Sequence, residues 1–198
     1  MSTLTQLADP QTTDKGSTHS YLEIYESLFS SRRNTVKRVI EIGVERGGSI
    51  KLWAEYFPTA EVVGFDIKLN VTPYNQRVKL FQGNAYNTTL VSQLIQKGIY
   101  ADVIIDDGPH TLESMVFFVK YYSQLLAPGG VLIVEDIPNP LWVQALYGCV
   151  PQHLKPYCKA FDIRKNKGRW DDILFVIDLP VQKKKIDGIL YDEIFLEK

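Results

Sequence analysis

Short apolar runs rich in β-branched residues alternate with segments of helical spacing along most of the chain. VKRVIEIGV (36–44), EVVGFDI (61–67), VKLFQGN (78–84), ADVIIDD (101–107) and GGVLIVEDI (129–137) read as five strands. Residues 48–57, 88–97 and 112–126 read as the helices between them, the last ended by Ala127-Pro128-Gly129-Gly130, and a short helix is expected over 141–147. An earlier helix is expected over 17–30, with Tyr21, Ile24, Tyr25, Leu28 and Phe29 on one face and Ser17 or Thr18 as N-cap. Runs apolar on both faces and separated by helices predict a parallel sheet covered on both sides. Residues 160–179 break the pattern. They read as two strands joined by a tight Asn166-Lys167-Gly168 turn, so the last strand is expected to run antiparallel.

Length and composition narrow the classes. The 198 residues, 45% hydrophobic and 23% charged, suit one compact α/β domain. Residues 13–182 are assigned to it, residues 1–12 to a flexible polar arm, and residues 183–198 to a tail. That tail carries Ile186, Ile189, Leu190, Tyr191, Ile194, Phe195 and Leu196. A tail this apolar is expected to be buried, at an interface between two copies in preference to its own core, which predicts a homo-oligomer and most simply a dimer. A net charge of −1 gives no reason to expect nucleic acid as a partner. The two cysteines, Cys149 and Cys158, form no disulfide framework, and neither a secretory leader nor a membrane-length apolar run is visible, so a cytoplasmic protein is expected.

The chemistry concentrates at the predicted strand ends. Glu41-Ile-Gly43-Val-Glu45-Arg-Gly47-Gly48-Ser49 follows the first strand and opens a helix, where glycines let a ligand approach the backbone. A dinucleotide loop would need glycine at position 45, and the glutamate there would crowd and repel a pyrophosphate. S-adenosylmethionine carries a sulfonium cation and no phosphate, so it is the expected cofactor. Asp66 ends the second strand, placed to accept hydrogen bonds from ribose hydroxyls, and Asn84 with Ala85 follows the third, placed for the adenine edge. Asp106-Asp107-Gly108-Pro109-His110 follows the fourth strand and Glu135-Asp136 ends the fifth. Neighbouring strands lie about 4.8 Å apart. Up to four carboxylates therefore converge, a set suited to Mg²⁺, or to Mn²⁺ or Ca²⁺. A solvated set of caps and turn residues is the bland alternative. His110, three residues past Asp107, is the candidate proton acceptor.

These residues resemble a known group. Thr13-Asp14-Lys15 with His19, EIGVERGGSIKLW (41–53), VVGFDI (62–67), VIIDDGPH (103–110), LAPGGVLIVEDI (126–137) and RWDDILFVI (169–177) are similar to stretches of metal-dependent sugar O-methyltransferases of macrolide biosynthesis and of a rhamnosyl O-methyltransferase group. The resemblance implies a Rossmann-like class I methyltransferase fold, a seven-stranded mostly parallel sheet with a C-terminal antiparallel hairpin. It also implies S-adenosylmethionine against Glu41, Gly43, Gly47, Ser49, Asp66, Asn84, Ala85 and Asp106. Asp107, Glu135 and Asp136 would be metal ligands, His110 together with Asp107 would be catalytic, and a sugar hydroxyl would be the acceptor. A catechol-type enzyme and a non-catalytic cofactor-binding module are the alternatives. No GxSxG and no GxxxxGK[ST] supports a hydrolase or kinase. The Thr13–Asp14–Lys15 segment and His19, too polar for a core, are expected to fold over the cofactor or acceptor.

Overall fold

The computed structural model describes residues 2–181, 183–186 and 189–192. Seven strands form one sheet in the order β3-β2-β1-β4-β5-β7-β6. They are β1 (Arg38–Ile42), β2 (Glu61–Asp66), β3 (Val78–Gln82), β4 (Ala101–Asp106), β5 (Leu126–Val134), β6 (Cys158–Asp162) and β7 (Ile173–Asp178). The first five pair in parallel, and β7 lies antiparallel between β5 and β6. Both faces are covered, as the doubly apolar strands require. Strand alternation sends Val39, Val103, Ile105, Val131 and Ile133 toward α1 (Leu4–Leu7), α2 (Leu22–Phe29) and α3 (Gly48–Tyr56). Ile40, Ile42, Ile104, Leu132 and Val134 pack on the other face against α4 (Thr88–Gln96), α5 (Leu112–Tyr122) and α6 (Pro140–Cys149).

Local chemistry sets the helix starts. Thr111 caps α5 by accepting from the Ser114 amide, and Asn87 and Asn139 cap α4 and α6 in the same manner. In α2 the expectation fails at the N-terminus. The helix begins at Leu22, and Ser17 and Thr18 lie in a preceding turn whose Thr18 and His19 amides donate to the Asp14 carbonyl. Residues 2–12 are also not the loose arm the polar sequence suggested. The one-turn helix α1 has a complete capping box at Thr3, and Leu4 is fully buried with its amide donating to Glu26.

Two turn expectations are corrected. Ala127 and Pro128, read as the end of the preceding helix, belong to the fifth strand. Gly129 and Gly130 lie in the fifth strand as expected, and β5 also takes in Leu126, Ala127 and Pro128, with Gly129 at φ +73° and a register shift against β4 between Ala101 and Val103. The β6–β7 connection is not a tight turn. Ten residues intervene, including the short helix α7 (Arg164–Lys167), which ends at Gly168 with φ +71°. Beyond β7, β8 (Lys183–Ile186) and β9 (Ile189–Asp192) pair antiparallel in a separate two-stranded sheet. Ile194, Phe195 and Leu196 of the tail lie outside the described residues. Among the described residues no helix is long and apolar enough to cross a membrane.

Candidate active site

The register aligns the functional residues before any side chain is considered. Ile42 pairs with Phe65 and with Asp106, and Asp106 pairs with Val134. The next residues along, Gly43, Asp66, Asp107 and Glu135, therefore form one row at the carboxyl edge of β2, β1, β4 and β5. β2 and β4 lie on opposite sides of β1, which makes this the topological switch point where open α/β sheets bind ligands. A cavity of about 1170 Å³ opens there.

One half of the cavity is backbone-lined. Gly43 sits at φ +94°, and a Cβ there would come within 1.8 Å of the Asp107 carbonyl oxygen. Glycine is needed for both reasons. Asp66 holds the loop that follows. Its Oδ2 accepts from the Val44 and Glu45 amides at 2.8 and 3.0 Å, and its Oδ1 from Lys68 at 2.9 Å. Burial works against its charge, but these donors outweigh burial and keep the carboxyl below its usual range. Glu45 is thereby held at φ 44°, an uncommon conformation for a side chain of its kind. Ser49, Asn84 and Ala85 also line the cavity. Glu41, Gly47 and Asp106, expected to contact the cofactor, are not among its lining residues. Gly47 is the left-handed N-cap of α3. Asp106 lies behind the wall, where burial raises its pKa to about 7 although the Tyr86 hydroxyl donates to it.

The other half is ionic. Asp107, His110 and Asp136 face the cavity. His110 Nε2 lies 3.2 Å from Asp107 Oδ1 and 3.5 Å from Asp136 Oδ2. His110 and Asp136 both have positive φ, 52° and 54°, a strain that tends to collect at functional sites. Burial disfavours the imidazolium, but the Asp107 hydrogen bond and the surrounding carboxylates raise the pKa above the ordinary histidine value. Burial and the Asp107 charge push Asp136 up. Burial also opposes the charge on Asp107, yet Lys15 and His110 hold its pKa low.

The partners of these acids come from the N-terminal segment. Lys15 Nζ donates to Asp107 at 2.7 Å and to the two oxygens of Glu135 at 2.8 and 2.6 Å. The Tyr21 hydroxyl donates to Asp136 and the Tyr25 hydroxyl to Glu135. His19 Nδ1 lies 2.5 Å from Asp172 and 3.3 Å from Asp136. Burial opposes the charge on His19, but Asp14, Asp136 and Asp172 raise its pKa to about 9. The segment does cross the site, with Thr13 and Asp14 on the cavity wall. It is not too polar for a core, however, since Lys15 is 1% and His19 2% exposed, each paired with acids that neutralise it. Sequence reasoning missed Tyr21 and Tyr25 as polar partners because their i, i+4 spacing also fits an apolar helix face.

No family model matches the chain. It is 27% identical over 147 residues to Mycinamicin VI 2''-O-methyltransferase of Micromonospora griseorubida, a match covering 70% of this chain and 37% of that protein. It is 30% identical over 136 residues to 8-demethyl-8-alpha-L-rhamnosyl tetracenomycin-C 2'-O-methyltransferase of Streptomyces olivaceus, covering 65% and 36%. The match thus spans little more than a third of the length of these curated relatives. In structure the chain is similar to MycE methyltransferase from the mycinamycin pathway in complex with Mg and SAH. The TM-score is 0.73 at 20% identity, covering 95% of this chain and 58% of that one. The fold is the Rossmann-like methyltransferase fold, and the sequence is similar to that of sugar O-methyltransferases.

Proposed function

We propose that the chain transfers a methyl group from S-adenosylmethionine to a hydroxyl of a sugar or glycoside, assisted by one divalent cation. One observation carries the reading. A single cavity joins the Gly43 loop and Asp66, suited to a nucleoside, to Asp107, His110 and Asp136, suited to a cation and a proton transfer. The curated relatives are named for O-methylation of glycosylated natural products, and MycE is described with Mg and SAH.

The donor set fits a hard divalent cation. Glu41, Asp106, Asp107, Glu135 and Asp136 are carboxylates crowded at the strand ends, against one ammonium, Lys15, and the imidazoles of His19 and His110. Asp107 and Asp136 would hold the ion from the cavity wall. Glu135, the third expected ligand, has its oxygens engaged by Lys15 and Tyr25. When bound, such an ion supplies Lewis acidity that lowers the pKa of a coordinated hydroxyl. His110 takes the hydroxyl proton on its imidazole. Carboxylate charge raises its proton affinity, and neutralising Asp107 and Asp136 returns it toward the neutral form a base requires. Asp66 and the Gly43 loop fix the methyl donor at one end of the cavity, so that the acceptor oxygen is presented in line.

The test is incubation with S-adenosylmethionine, Mg²⁺ and a panel of glycosides and catechols, read by mass. Methylated glycoside is expected. Methylation of catechols alone would move the acceptor assignment, and no methyl gain on any acceptor with cofactor bound would leave a non-catalytic module.

A further inference from the structure

Strand alternation places three acids on one face of the sheet. Glu41 shares its face with Val39, Asp107 with Ile105, and Glu135 with Ile133, and this is the face covered by α2 and α3. One oxygen from each lies within 4.8 Å of the others, as the ligands of a single cation do. Lys15 Nζ sits among them, 2.7 Å from Asp107, 2.6 Å from Glu135 and 3.5 Å from Glu41 Oε1. Glu41 is fully buried. Its Oε2 accepts from Ser49 and Trp53, while Oε1 accepts no hydrogen bond. The ammonium donates to Asp107 and Glu135 and stands 3.5 Å from this buried oxygen, which it ion-pairs without a hydrogen bond, so the oxygen is aimed at a position a cation fills.

A second set, Asp107, His110 and Asp136, meets the same spacing and faces the cavity. Asp107 belongs to both sets. Its Oδ2 turns to Lys15 and its Oδ1 to His110. A carboxylate shared between two adjacent cation positions is the arrangement of two-metal centres, whose ions lie about 3.5–4 Å apart.

We propose that this is a two-position cation centre bridged by Asp107, in which the Lys15 ammonium permanently fills the inner position formed with Glu41 and Glu135. Lysine suits that place because its charge is compact and it carries three donors. The inner position then accepts no divalent ion, and one divalent ion binds on the cavity side. Lys15 is accordingly a positioning residue. It fixes the back of Asp107 and sets the number of ions the chain holds. The outer ion rests on the function proposed above; the inner position rests on Lys15 alone.

The experiment counts Mn²⁺ per chain by calorimetry and electron paramagnetic resonance on the full chain. Wild type is expected to bind one ion, Lys15→Met two, and Lys15→Met combined with Glu135→Gln one. Equal counts in wild type and Lys15→Met overturn the inference, as does a second ion that survives Glu135→Gln. If wild type binds none and Lys15→Met binds one, the inference holds and the divalent-ion reading of the function falls. Should Lys15→Met not fold in metal-free buffer, thermal unfolding carries the same test. A cooperative transition restored by MnCl₂, but not by NaCl of equal ionic strength, in Lys15→Met and not in Lys15→Met combined with Glu135→Gln supports the inner position, and equal restoration in both variants or none in Lys15→Met overturns it.

Discussion

Replacing Asp66 with alanine removes the acceptor for three backbone amides at once, those of Val44, Glu45 and Lys68. In a dry interior each hydrogen bond to a charged group is worth about 1.5–3 kcal/mol. Asp66 is only partly buried, so the freed amides regain water, and a total loss of about 1–3 kcal/mol is the reasonable scale. Release of the strain at Glu45, whose left-handed φ of 44° is disfavoured by roughly 1–2 kcal/mol, offsets part of the lost hydrogen bonding. The loop is built into the cavity wall, so the same energy appears in ligand binding. At 1.4 kcal/mol per decade, affinity for S-adenosylhomocysteine should fall about 5- to 150-fold. Urea unfolding and calorimetric titration of the variant measure the two quantities. Asp66→Asn, which keeps one carbonyl oxygen for the loop, should recover stability more than affinity. If Asp66→Ala leaves both the unfolding midpoint and the affinity unchanged within twofold, Asp66 neither shapes this loop nor touches the ligand.

His110→Ala should lower kcat by about 10²–10⁴-fold with near-normal S-adenosylhomocysteine affinity, as measured by steady-state kinetics beside calorimetry; kcat within threefold of wild type returns His110 to a structural role. Dialysis against EDTA should abolish methyl transfer and added Mg²⁺ should restore it, so full turnover in chelated protein would exclude the divalent ion. Gly48→Ala places a Cβ within 2.2 Å of the Thr12 carbonyl oxygen, so it should lift the segment carrying Lys15, and trypsin cleavage after Lys15 should accelerate. Truncation after Leu179 should convert a dimer into a monomer in size exclusion, and a full-length chain already monomeric at high concentration would refute the interface.

Much of the architecture was legible because its signals are local. The apolar runs placed β1 to β5, and the glycines after β1 marked the loop that approaches Asp107. Errors arose where tertiary packing overrode a local signal. Ala127 and Pro128 read as the end of a helix, yet they lie inside β5, whose Leu126 already pairs with Ala101 of β4. Leu4 lay in a polar stretch whose burial depends on distant α2 and α3, which short-range spacing cannot reveal. At the site the acids were legible and their partners were not. Period-two alternation already sends Glu41, Asp107 and Glu135 to one face, but Lys15 reaches them only through a contact 92 to 120 residues away in sequence. Two buried acids and a half-buried third on one face call for a cation, and that requirement was the available signal for Lys15.

A crystal structure with S-adenosylhomocysteine and Mn²⁺, with the metal located by its anomalous scattering, tests the central claim most directly. The account predicts the nucleoside along the Gly43 loop, Asp66 and Asn84, the sulfur directed toward His110, and one anomalous peak between Asp107 and Asp136. Ligand bound away from Asp66, or a metal peak in the pocket of Glu41 and Glu135 with Lys15 displaced, would contradict it.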